Sequence, residues 1–136
     1  MGAQGTAILD FGAFPGASDA SVTVTGASLV GIAAASLVEA WIFPLATADH
    51  TSDEHWVESL AVFADPSTIV ADTSFVIRGR NTSEIFEALV EPLGANSVVQ
   101  AATAVANKNA QPGRVAYGGG QGTRLYGQFT VAWVWN

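Results

Sequence analysis

Apolar and polar residues alternate most strongly at the end of the chain, where Leu125-Tyr-Gly-Gln-Phe-Thr-Val-Ala-Trp-Val-Trp135 precedes Asn136. At a period of two, Leu125, Phe129, Val131, Trp133 and Trp135 share one face, with a gap at Gly127. Tyr126, Gln128, Thr130, Ala132 and Val134 share the other. β-Branched and aromatic side chains suit a pleated, half-buried surface, and each fully buried Trp would remove ~150–250 Å² from water. An edge with so much apolar surface would invite aggregation, so the pattern predicts a strand in a central position.

Shorter runs of the same kind precede it. Thr6-Ala-Ile-Leu-Asp-Phe11 reads as a strand stopped by Gly12 and Phe14-Pro15-Gly16, and Ser21-Val-Thr-Val-Thr25 alternates with Val22 and Val24 on one side. Gly26 to Ser36 is small and apolar, a loop or a single helical turn. Leu37-Val-Glu-Ala-Trp-Ile-Phe43 ends at Pro44, which cannot donate to a ladder. Trp56-Val-Glu-Ser-Leu-Ala-Val-Phe63 is expected to form a strand ending at Asp65-Pro66-Ser67. Thr68-Ile-Val-Ala71 and Ser74-Phe-Val-Ile-Arg78, divided by Asp72-Thr73, read as a tight antiparallel pair.

Asn81-Thr-Ser-Glu-Ile-Phe-Glu-Ala-Leu-Val-Glu91 breaks the alternation and fits a short helix with Ser83 as N-cap. Residues 92–124 are poor in large apolar side chains and rich in Gly, Ala and Asn, which predicts an extended loop or arm that contacts a neighbour. The expectation is therefore all-β: one antiparallel β-sandwich over residues 1–136, jelly-roll or lectin-like, with a short helix and a long arm before the last strand.

Composition bears on partners more than on fold. Only 12% of the 136 residues are charged, about half the usual ~25%, so the surface is largely uncharged and its cover by other subunits or another protein is expected. A net charge of −7 argues against nucleic acid as a partner. Residues 1–77 hold nine acids and no base, and residues 92–136 three bases and no acid, an asymmetry that a head-to-tail contact between copies could use. With no cysteine, neither a disulfide nor a thiolate metal site nor a Cys nucleophile is available. The first residues lack a basic and then long apolar run, so no signal peptide or membrane span is expected.

The most chemically loaded stretch is Asp49-His-Thr-Ser-Asp-Glu-His55. His50, Asp53 and His55 are weak metal candidates, because imidazole and carboxylate suit zinc or manganese but the spacing matches no standard site. The alternative is a solvated connection capped by Ser52 or Asp53. Glu39 and Glu58, expected on the Trp-bearing faces of neighbouring strands, are the one carboxylate pair suited to acid–base work. No base, nucleophile or oxyanion donor accompanies them, so no enzyme and no cofactor is expected. Arg78, Arg80 and Arg124 could pair with Asp53, Glu54 or Glu58 in the same copy or an adjacent one. With Glu39 and Arg114 they form the set of expected contact residues.

Four segments together resemble a known family: Val38-Glu-Ala-Trp41, the 49–55 connection, the strand pair ending near Phe75-Val-Ile77, and Gly122-Thr-Arg-Leu-Tyr-Gly through Trp133-Val-Trp135. They are similar to small virion structural proteins of tailed bacteriophages, of the capsid decoration (cement) or fibre type. The resemblance runs from about Phe11 onward and leaves residues 92–116 unmatched. It implies a virion protein assembled in the bacterial host cytoplasm, and for the decoration type a homo-oligomer, a trimer favoured, laid on the major capsid protein shell. The fibre type would instead present a lectin-like module to host-surface glycans. The Trp residues all sit in strand patterns, which predicts core or seam positions and favours the decoration type.

Overall fold

The computed structural model describes residues 1–82 and 124–136; the expected helix near Ser83, the arm and Arg114 lie outside the described residues. Among the described residues six strands form two antiparallel sheets, so the fold is all-β. The strands are β1 (Ala3–Asp10), β2 (Asp19–Thr25), β3 (Val38–Ile42), β4 (Leu60–Val70), β5 (Ser74–Asn81) and β6 (Gln128–Trp135), with one short helix, α1 (Ser52–Val57). One sheet has the order β1-β6-β3 and the other β2-β5-β4. The final strand occupies the centre of its sheet, as its heavy apolar face required.

Residue size decides how that face is accommodated. Across the ladders, Trp133 lies opposite Gly5 on β1 and Ala40 on β3, while Trp135 lies opposite Ala3 and Val38. Small residues on the outer strands leave room for the indoles of the middle one. A Cβ on Gly5 would come within 2.6 Å of the Trp133 ring. From the other sheet Phe75 meets Trp133 edge-on, with centroids 5.6 Å apart. Leu9, Phe129, Val131, Phe75, Ile77 and Val24 belong to the same buried cluster, so the two sheets share one core. The Trp135 indole donates to the Ser28 carbonyl at 3.0 Å, which fixes the short 3-10 turn Ala27–Leu29 against the chain's end.

Two expectations about strand limits are corrected. Trp56 and Glu58 are not on a strand: residues 52–57 are helical and β4 starts at Leu60. The local cause is a capping box. Thr51 Oγ1 accepts from the Glu54 amide and Glu54 Oε1 accepts from the Thr51 amide, both at 3.3 Å, with Asp53 and Glu54 in the first turn. Thr51, rather than Ser52 or Asp53, is the cap. Nor does Asp65-Pro66-Ser67 end a strand; β4 runs through it with a shift of register between Asp65 and Val70. Thr68 Oγ1 accepts the Val76 amide at 2.8 Å there, standing in for a ladder carbonyl. The expected tight pair is present as the β4–β5 hairpin, turned at Asp72 with φ 58°. Its carboxylate accepts from the Gly31 amide at 2.7 Å.

Candidate functional site

Strand β3 stops pairing soon after Ile42: Phe43 still donates its amide to the Thr130 carbonyl at 3.0 Å, but its own carbonyl accepts the Leu45 amide at 2.7 Å in a tight turn over Pro44. The Thr130 amide, both backbone groups of Gln128 and, just before β6, the Tyr126 carbonyl are then left without a strand partner. Side chains of residues 47–55 take them up. Thr47 Oγ1 donates to the Gln128 carbonyl at 2.8 Å, and Asp49 Oδ2 accepts the Gln128 amide at 2.9 Å. His50 Nε2 lies 2.6 Å from the Tyr126 carbonyl, and His55 Nε2 accepts the Thr130 amide at 3.0 Å. The most polar stretch of the sequence thus acts as a side-chain substitute for a missing strand edge.

This use of the imidazoles leaves little for a metal. His55, 2% exposed, accepts at Nε2 and so carries its proton on Nδ1, which donates to the Thr51 carbonyl at 2.7 Å. Asp53 stays exposed in the first turn of α1. Among the described residues no three His, Cys, Asp or Glu are gathered for a cation, so His50, Asp53 and His55 are not brought together as a ligand set.

The two histidines differ in charge. Both ring nitrogens of His50 face acceptors, the Tyr126 carbonyl and Glu54 Oε1 at 2.8 Å, which calls for an imidazolium beside a carboxylate. Its ring stacks on Phe129 with centroids 4.2 Å apart. Burial opposes the charge, but the Tyr126 carbonyl, the Glu54 hydrogen bond and the negative charges of Glu54 and Asp49 outweigh it and raise the His50 pKa above 6.5. The bond from His50 holds Glu54 below its usual 4.5. A raised His50 value means that its contribution is complete below about pH 6.5 and is lost as pH rises through the folded-state pKa. The Glu54 contribution is complete above about 4.5 and is lost as pH falls through its lowered value. Denaturation midpoints are expected to fall from pH 6.5 upward, and less so in Glu54→Gln. A His50 proton titrating at or below 6.5 by NMR would contradict this charge assignment.

Gly127 is the gap noted in the last strand's aromatic face, and Asp49 fills the space beside it. The residue has φ 78°, and a Cβ there would lie 2.9 Å from Asp49 Oδ2. Gly127→Ala combines a left-handed backbone cost of ~1–2 kcal/mol with displacement of Asp49 from the Gln128 amide. Faster hydrogen exchange at Gln128 is the expected signature, and an unchanged rate would count against the Asp49 contact.

The other candidate contact residues are scattered. Glu39 is exposed on β3, opposite Val134, whereas Glu58 is the C-cap of α1, so they are not a facing pair on neighbouring strands. Arg78 donates through Nε to Asp65 at 2.8 Å, rather than to Asp53, Glu54 or Glu58. Arg80 is exposed on β5, and Arg124 is exposed just before the Ala17–Leu125 bridge.

What the sequence reading missed is on the outside of the β1-β6-β3 sheet. Ile8, Thr130 and Phe43 form one row of that face, and Thr6, Ala132 and Trp41 the next. Trp41 is 45% exposed, and Ile8, Phe43 and Leu45 are exposed with it. Thr130 Oγ1 donates to the Leu45 carbonyl, and its amide is held by His55, so α1 is fastened to the same row; it carries Trp56, 75% exposed, and Val57. A groove of about 260 Å³ lies between Trp41 and Phe43 on one side and Gln4 and Thr6 on the other, floored by Ala132. Alternation places a side chain on a face but not the face against a partner sheet, so all four Trp read alike as core or seam, and of the four Trp133 and Trp135 are the ones buried in the core. No protein family, no curated protein and no solved structure matches the chain.

Proposed function

We propose that this chain is a structural protein of a tailed-phage particle that acts by covering surface, a decoration protein that binds the major capsid protein shell as a small oligomer. The observation that carries the reading is the apolar outer face of the β1-β6-β3 sheet, where Ile8, Trp41, Phe43 and Leu45 surround Thr130 and Ala132. Charged residues on its strands stand only at the ends, at Asp10 and Glu39. Covering such side chains fully contributes ~1.5–3 kcal/mol each, and a surface this poor in charge favours a partner over water. Resemblance of the strand segments and of the Trp-rich ending to small virion proteins supports the same reading. In it the two sheets close as a β-sandwich, the trimer is the favoured assembly, and the outer face or the acidic α1 region meets the shell.

Adding the purified chain to particles stripped of it tests this. Rebinding as a stable ring with recovery of heat resistance is expected, and Trp41→Ser with Phe43→Ser should abolish rebinding while leaving the fold intact. Particles that ignore the chain would overturn the reading.

A second reading, a glycan-binding fibre module, is favoured by one observation. Trp41 is an exposed aromatic platform beside the polar Gln4 and Thr6, the arrangement sugar rings use. Quenching of Trp41 fluorescence by host-surface glycans, with no effect of particles, would select it.

A further inference from the structure

The other sheet carries a second recess, of different chemistry. Gly79 on β5 points into the core, where a Cβ would press on Leu9, so its neighbours Arg78 and Arg80 both point outward. Across the ladders Arg78 stands between Ser21 on β2 and exposed Phe63 on β4, and Arg80 stands between Asp19 and Ala61. A depression of about 500 Å³ lies here, lined by Asp19, Ser21, Phe63, Arg78 and Arg80, within the usual size of small-ligand pockets.

The two guanidinium groups are in different states. Arg78 spends Nε on Asp65, which orients the group and leaves its two terminal nitrogens to the recess. Arg80 makes no ion pair with a described residue, Asp19 across the ladder included. Arg78 and Arg80 are the only Lys or Arg residues of the described strands, and they stand side by side on this face.

We propose that the recess binds a carboxylate-bearing sugar of the uronic or sialic acid kind. Such a ligand matches each wall in turn. A planar carboxylate takes two parallel bonds from Arg80, helped by the free edge of Arg78. The C–H face of a pyranose ring lies on Phe63. Hydroxyls donate to Asp19 and exchange hydrogen bonds with Ser21. Asp19 and Asp65 balance the two arginines, which disfavours a doubly charged phosphate and suits a single carboxylate set among hydroxyls. The site is separate from the apolar face, and it stands whichever partner covers that face.

The test is an NMR and calorimetric titration of the full chain with glucuronate, N-acetylneuraminate, glucose and acetate, alongside Arg80→Gln and Phe63→Ser. Saturable binding of one or both acidic sugars is expected, with shifts confined to β2, β4 and β5. Glucose and acetate should bind roughly tenfold more weakly or worse, since each lacks one of the matched groups. Arg80→Gln should cost a similar factor without changing the circular dichroism, because the side chain is exposed. Which of the two acids binds better distinguishes a uronate from a sialate source. Glucose binding as well as glucuronate, full affinity in Arg80→Gln, shifts that centre on Trp41, or no saturation with either acid would each overturn the proposal. So would an oligomer that Arg80→Gln dissociates with no sugar bound, which would make the recess a contact between copies.

Discussion

Phe129→Ala is expected to lower the free energy of unfolding by about 3–5 kcal/mol, the largest loss of any single substitution considered for this chain. Phe129 is fully buried at the point where the core meets the 47–55 stretch that lines the edge of β6. Its ring stacks under His50, meets His55 edge-on at 5.3 Å and meets Phe11 edge-on at 5.9 Å. Removing it therefore opens a cavity and also unseats the two imidazoles that hold the strand's edge. Phe129→Leu keeps most of the volume and should cost about 1–2 kcal/mol. Urea denaturation measures both, and equal losses for Ala and Leu would mean that the aromatic contacts, rather than the volume, carry the effect. A loss under about 1 kcal/mol for Ala would contradict the packing described.

His55→Ala should follow, at about 2–4 kcal/mol, for a different reason. The buried Thr130 amide would lose its acceptor in a place where water has little access, while the Thr51 carbonyl, on an exposed residue, would keep the residue-55 backbone amide. An unmet buried polar group costs ~1–3 kcal/mol by itself, to which the lost ring volume adds. The decisive readout is hydrogen exchange at Thr130: slow in the parent chain and fast in the variant. His55→Gln, which retains one donor and one acceptor on a planar group, is expected to recover part of the protection. If Thr130 exchanges equally slowly in His55→Ala, the imidazole is not its partner and the account of the β6 edge fails.

Local pattern made much of the architecture legible. Alternation in Ser21-Val-Thr-Val-Thr25 matches β2, where Val24 is buried and the hydroxyls are exposed. The weight of the Trp-rich ending foretold a central strand, since only a middle position covers such a face on both flanks. The capping box of Thr51 and Glu54 was also present in the sequence, and it is the signal that would have turned the Trp56 strand into a helix. Alternation outvoted it there because Trp56, Glu58, Leu60 and Val62 happen to repeat at two.

The candidate site was legible only as a list of residue types. Asp49, His50 and His55 stand out as chemistry-bearing, but their partners Gln128, Tyr126 and Thr130, on β6 and just before it, lie 75 to 79 residues further along the chain. No local rule reaches that far. By itself the sequence determined the all-β class, the strands with clear period two, the absence of thiol chemistry and the acidic bias of the first half, because each follows from residue type or near-neighbour spacing. Tertiary structure alone decided that the His-rich stretch closes a strand edge, that Trp133 and Trp135 go inward while Trp41 and Trp56 stay out, and that Arg78 and Arg80 share a recess with Phe63. The physical reason is common to all three: they depend on which strands pair and in what register, and pairing minimises exposed edge and empty volume over the whole chain rather than within any one segment.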